Sequence, residues 1–238
     1  MEDLDKLLLD AAGCGNLEVC KDLLDRGADA NAKNNDGSTP LLLASWKGHV
    51  DVCALLLDRG ADVNAKSNGG LAPLHEASFE GPVDLCALLL DHGADVNAKN
   101  NNRFTPLHYA SYNGKKDVCT LLIDRGADVN AKDKNGETPL YNASWEGQVD
   151  ICKLLLDHGA NVNSKNNWNA TSLYIASLKG CMDLCVLLLN YGADVMIKTD
   201  KGETPLNIAT RQKNKDICRL LKIEQIKFAK RRHLLFLL

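Results

Sequence analysis

Thr105-Pro106-Leu107-His108-Tyr109-Ala110 decides how this chain is read, because variants of it occur six times. Its relatives are Thr39-Pro40-Leu41, Ala72-Pro73-Leu74-His75, Thr138-Pro139-Leu140-Tyr141, Thr171-Ser172-Leu173-Tyr174 and Thr204-Pro205-Leu206. Each is displaced from the next by 33 residues without slippage. A fixed period of this size describes a stack of one small supersecondary unit, each copy covering the apolar face of its neighbour.

Residues 34–66 show what one unit contains. Asn34-Asn35-Asp36-Gly37-Ser38 is turn chemistry, with Gly37 able to take positive φ. Thr39 can cap a helix that begins at Pro40, where the missing amide hydrogen costs nothing. Leu41, Ala44 and Ser45 give that short helix a tight packing face, and Gly48 ends it. A second helix follows His49, with Asp51 in its first turn and an apolar stripe of Val52, Cys53, Leu56 and Leu57. Gly60 suits the left-handed position that closes it, and 61–66 returns as an arm to the next turn. Copies are expected at 67–99, 100–132, 133–165 and 166–198, with atypical terminal copies at 1–33 and 199–223. End units of a stack meet water on one face, which accounts for their divergence.

Period and motif together resemble the ankyrin-repeat family, over nearly the whole chain. The resemblance implies an all-α repeat solenoid of seven helix-turn-helix units joined by β-hairpin turns, forming one domain over 1–223. A basic and apolar tail, 224–238, leaves the pattern. Local departures are visible. Arg103 and Asn169 replace the turn glycine of other copies, which puts the geometry of the Arg103 turn in doubt. Ser172 replaces the proline, and Leu42, Tyr141, Tyr174 and Asn207 replace the histidine that in the family satisfies backbone groups between units. Lys213 replaces the glycine between the paired helices, so the stack is expected to weaken toward its C-terminal end.

Composition narrows the function. Lys and Arg number 28 against 31 Asp and Glu, a net charge of −3, which favours neither nucleic acid nor an anionic membrane. No apolar run is long enough to span a bilayer, and an acidic N-terminus is unlike a secretory signal. Seven of the nine cysteines (20, 53, 86, 119, 152, 185 and 218) repeat at the 33-residue step and form a column. Stacked helices lie about 8–10 Å apart, too far for a disulfide, which wants Cα atoms within about 7 Å. A straight column cannot converge on a metal either, so these thiols read as small buried hydrophobes. Cys14 and Cys181 lie off the column and are the expected exposed thiols. The chain reads as cytoplasmic or otherwise intracellular, nuclear included, and as a monomer.

Nothing assembles into a catalytic constellation. The histidines fall in columns that stacking keeps apart, and no phosphate loop, HExxH or GxSxG occurs. Neither enzyme activity, a cofactor nor a metal is expected. Two charged columns are read structurally: acids at 51 and its equivalents suit helix starts, and lysines at 33, 66, 99, 132, 165 and 198 form a solvated ladder that tilts the surface toward acidic partners.

The positions that stacking does not dictate carry the functional reading. In proteins this chain resembles, partners are held by hairpin tips and the exposed side of the first helices. Here those positions hold Trp46, Lys47, Leu71, Phe79, Glu80, Arg103, Phe104, Tyr112, Asn113, Trp145, Glu146, Trp168 and Leu178. All three tryptophans fall in this set. The expected function is a non-catalytic protein-interaction scaffold that grips another protein along a concave face. Alternatives are a substrate-recruiting adaptor of a ubiquitin-ligase-like assembly that uses the tail, and an inhibitor of a partner enzyme. Family resemblance also marks Asn64, Asn97, Asn130 and Asn163 as candidates for asparaginyl hydroxylation, whereas the structural reading has each amide bonding its own hairpin.

Overall fold

The computed structural model describes residues 4–235. These form fourteen α-helices in two compact bodies, Met1–Asp128 and Val129–Leu238. In the N-terminal body, first helices α1 (Leu4–Gly13), α3 (Pro40–Lys47), α5 (Pro73–Phe79) and α7 (Pro106–Tyr112) pack in a row. Their partners α2 (Leu17–Asp25), α4 (Val50–Asp58), α6 (Val83–Asp91) and α8 (Lys116–Asp124) form a second row behind them. The C-terminal body repeats the arrangement. Its first helices are α9 (Pro139–Trp145), α11 (Ser172–Lys179) and α13 (Pro205–Arg211), backed by α10 (Val149–Asp157), α12 (Met182–Asn190) and α14 (Lys215–Leu235).

Local chemistry sets the helix ends. Thr39, Thr138, Thr171 and Thr204 accept from the backbone N–H three residues on, at 3.2–3.3 Å. The Thr171 cap starts α11 although Ser172 stands where the other copies have proline. Between the two rows lie fully buried leucines, Leu41, Leu74 and Leu107 from first helices and Leu56, Leu89 and Leu122 from second helices of the N-terminal body. Leu140, Leu173, Leu155 and Leu188 do the same in the C-terminal body. Burying one such leucine contributes about 1.5–3 kcal/mol, so the repeated pair adds to each unit's drive to stack.

The connecting tips are turns. No β-strand occurs among the described residues. Each tip closes as a tight turn, as where Asn34 N–H donates to Ser38 O at 3.1 Å and Gly37 N–H to Asn34 O at 2.9 Å. One backbone bond then reaches the neighbouring tip, Asn68 N–H to Asp36 O at 2.9 Å, which is too little to build a ladder. The Arg103 turn keeps this form: Arg103 takes φ 63° in the place of glycine, and its N–H donates to Asn100 O at 2.8 Å. At the C-terminal end α14 runs without a break past the last repeat, and its Ile223 and Ile226 lie exposed.

Candidate functional site

Most repeated columns are consumed inside the bodies. Cys20, Cys53, Cys86, Cys119, Cys152 and Cys185 are buried, and burial pushes the Cys53, Cys86 and Cys185 thiols up to about 11 and those of Cys119 and Cys152 to about 12. Hydroxyls on the paired first helix sit against them, Ser45 Oγ at 3.6 Å from Cys53 Sγ and Ser144 Oγ at 3.6 Å from Cys152 Sγ. Cys218 is only half-buried.

The lysine ladder is not simply solvated. Lys33 Nζ donates to Lys66 O (3.2 Å), Lys66 Nζ to Lys99 O (3.1 Å) and Lys132 Nζ to Lys165 O (2.8 Å), each stitching one copy to the next. The asparagine column also bonds outward, not within its own hairpin. Asn64 Nδ2 donates to Gly93 O (3.0 Å) while Asn64 Oδ1 accepts from Asp95 N–H (2.9 Å). Asn97, Asn130 and Asn163 repeat both bonds to the following copy, so both amide atoms of every hydroxylation candidate are engaged. His75 joins copies from within. Its Nδ1 accepts from Ala72 N–H, and Nε2 lies 3.0 Å from both Ala98 O and Phe104 O; burial lowers its pKa and keeps it neutral.

What remains is the outer side of the first helices. In the N-terminal body Trp46 is 44% exposed, with Lys47 Nζ 3.8 Å from its ring centre, and Tyr112 is 45% exposed. Phe79 and Phe104 are half-buried instead: both pack on Tyr109, with ring centres 5.8 and 5.7 Å away, and Phe104 also meets His108. Tyr109 is thus the hub of this aromatic cluster, held by Asn100 Nδ2 at 3.0 Å from its hydroxyl. Leu71 is half-buried, whereas Arg103 and Glu80 are exposed and Asn113 is tied to Tyr109 O at 3.2 Å.

The C-terminal body carries a groove of about 320 Å³ across α9, α11, α13 and their tips. Tyr141, Trp145, Trp168 and Tyr174 face it, with Ile175 and Leu178 as its aliphatic side. Trp145 is 39% and Trp168 54% exposed. Lys179 Nζ lies 4.2 Å from the Trp145 ring centre, and Glu146 is exposed nearby in the chain. The groove's polar end is built on Glu203. Its Oε2 accepts from the Tyr174 hydroxyl (2.9 Å), and its Oε1 pairs with Arg211 Nη1 (2.5 Å). Asn166 Nδ2 donates to the Tyr141 hydroxyl at 3.2 Å. Burial, then Glu137, Tyr174 and Asp133, push the Tyr141 pKa well up, so it stays a neutral phenol.

Of the residues expected from sequence, this groove unites Trp145, Trp168 and Leu178. Tyr141, Tyr174 and Glu203 were not singled out as site residues. A signal for the tyrosines exists, since both stand in the histidine column: the phenol reaches past the histidine's backbone partners to side chains of the next tip. Glu203 had none, because its column is otherwise filled by Ser38, Leu71, Phe104, Glu137 and Ala170.

A family model described as ankyrin repeats (3 copies) matches residues 8–100 and 96–166, and one described as ankyrin repeats (many copies) matches residues 155–209. No curated protein matches the chain. With its helix pairs, its capped Thr-Pro-Leu starts and these matches from 8 to 209, the chain belongs to the ankyrin-repeat family.

Proposed function

We propose that this protein is a non-catalytic scaffold that holds a partner protein on the outer side of its first helices and the adjoining tips. Ankyrin repeats are protein–protein interaction modules. One observation carries the finer reading: the buried and bonded columns account for stacking, yet Trp46, Tyr112, Trp145 and Trp168 stand 39–54% exposed on the side stacking does not use. Large amphipathic rings in such places are the usual anchors of an interface. A rigid repeat frame presents them with little ordering on binding, which favours affinity. In the N-terminal body Lys47, Glu80, Arg103 and Asn113 are the polar residues of this side and Leu71, Phe79 and Phe104 its half-buried apolar ones; in the C-terminal body Glu146 is exposed and Leu178 lines the groove with Trp145 and Trp168.

Two measurements on the same variants test the reading. Trp145→Ala and Trp168→Ala should each weaken partner binding at least tenfold, since truncating a central anchor costs about 2 kcal/mol or more, while the urea midpoint barely moves. Phe79→Ala should do the reverse: its ring is packed on Tyr109, and because it is only half-buried its removal should cost stability below the roughly 3–5 kcal/mol of a fully buried aromatic. Unchanged affinity in both tryptophan variants would sink the reading.

A further inference from the structure

The groove of the C-terminal body sets a half-buried carboxylate, Glu203, against exposed cations. Two carboxylates line it: Glu203 is held, with its side chain 23% exposed, and Asp200 is exposed and accepts from Asn169 Nδ2 at 2.6 Å. The cations near it ride on long exposed side chains, Lys179, Lys201 and Arg211, with the Arg211 side chain 59% exposed. Two of them already make the contacts the groove offers. Arg211 places a guanidinium on Glu203, and Lys179 places an ammonium over Trp145. Each contact joins an exposed cationic side chain to a residue that lines the groove.

We propose that this groove receives an arginine presented by an extended segment of the partner protein, with Glu203 as its carboxylate and the Trp145, Trp168, Tyr141 and Tyr174 rings as its walls; the proposal rests on the interaction face argued above. A guanidinium suits the site better than an ammonium, because it stacks flat on aromatic faces while its fork meets a carboxylate. The groove's roughly 320 Å³ accommodates one long side chain and its flanking residues, not a folded surface. Arg211 then acts as a placeholder. It keeps a half-buried carboxylate paired while the groove is empty and swings into solvent when the partner's arginine arrives. A tyrosine hydroxyl on the same carboxylate keeps Glu203 in place during the exchange.

A random dodecapeptide display library, selected on the full chain and followed by titration of the enriched peptides, tests this. Arginine should dominate the enriched pool, and replacing it by citrulline in a synthesised peptide should weaken binding at least tenfold. Trp145→Ala, Trp168→Ala and Glu203→Gln should each weaken binding by a similar factor. Arg211→Ala should strengthen it several-fold, an effect that loss of a merely structural ion pair would not produce. Peptides that depend on the two tryptophans but are enriched in proline or acidic residues without arginine would overturn the arginine assignment and leave the interaction face standing. A weaker complex in Arg211→Ala would remove the placeholder. A selection in which no peptide depends on Trp145 or Trp168, or in which nothing is enriched, would overturn the interaction face as well.

Discussion

Arg103, Asn169 and Lys213 adopt φ of 63°, 56° and 60°, in places where other copies have glycine. The stack imposes the turn, and the residue bears the strain. A left-handed conformation costs an ordinary L-residue roughly 1–2 kcal/mol, while glycine returns about 0.5–1 kcal/mol of that through the freedom of its unfolded chain. Arg103→Gly should therefore stabilise the protein by a net of roughly 0.5–1 kcal/mol, read as a higher urea midpoint. An unchanged or lower midpoint would show that the Arg103 side chain does stabilising work from its exposed position. The thiols follow burial with the same directness. Iodoacetamide at pH 8 should label Cys14 first and the half-buried Cys181 and Cys218 next, leaving the six buried column cysteines unmodified, since burial removes access and pushes the thiols away from thiolate. Rapid labelling of Cys86 or Cys119 in folded protein would show the helix register to be wrong. The 33-residue step of the cysteines made the six buried thiols legible from sequence, whereas Cys218, expected buried, and Cys181, expected exposed, are both half-buried.

Between elements, the joints are made by side chains that the sequence displays but whose direction it hides. Asn97 could bond within its own turn, and a local contact needs no knowledge of stacking distance. In the fold it reaches instead to Gly126 O (3.1 Å) and Asp128 N–H (2.8 Å) of the next copy, because the spacing of adjacent tips matches the length of one amide side chain. Asn97→Ala removes two such bonds at about 0.5–1.5 kcal/mol each. Their partial exposure keeps the loss toward the lower end, so a destabilisation of about 1–2 kcal/mol is expected in urea titration. A shift below the error of the measurement would mean that water replaces the amide without loss. The histidine column teaches the complementary lesson. Tyr141 and Tyr174 look like defects in a repeat pattern, and from sequence they predict looser joints. In the structure they make new bonds to Asn166 and Glu203, and with Trp145 and Trp168 they line the groove. The helices were legible because their signals are local, in the Thr-Pro-Leu starts and the closing glycines. The groove was not, because it arises from residues in three successive copies whose meeting depends on how those copies pack.

At the scale of the molecule, stability is set by how many neighbours each helix pair has. A repeat protein's stability approximates a sum of unit and neighbour-interface contributions, and local opening begins where interfaces are fewest. In the N-terminal body α3 to α6 are packed on both sides, with Leu41, Cys53, Ala77 and Leu89 fully buried. In the C-terminal body the last pair, α13 and α14, has a neighbour on one side, an exposed Thr210, a half-buried Cys218 and the strained Lys213 turn between its helices. The start of the chain is better closed: α1 buries Leu8 and Ala12 completely against its neighbours. Hydrogen exchange followed by mass spectrometry should therefore show a gradient under native conditions. Amides of α14 beyond 223 should exchange first, then those of α13, with α1 and α2 slower and α3 to α6 slowest. The Lys213→Gly substitution should slow exchange in α13 and the first turns of α14 while leaving α3 to α6 unchanged, because relief of strain at one joint is felt by its nearest neighbours. Exchange of α13 as slow as that of α5, or uniform exchange along the whole chain, would show that the chain unfolds as one cooperative unit and that uncovered end helices do not govern its opening.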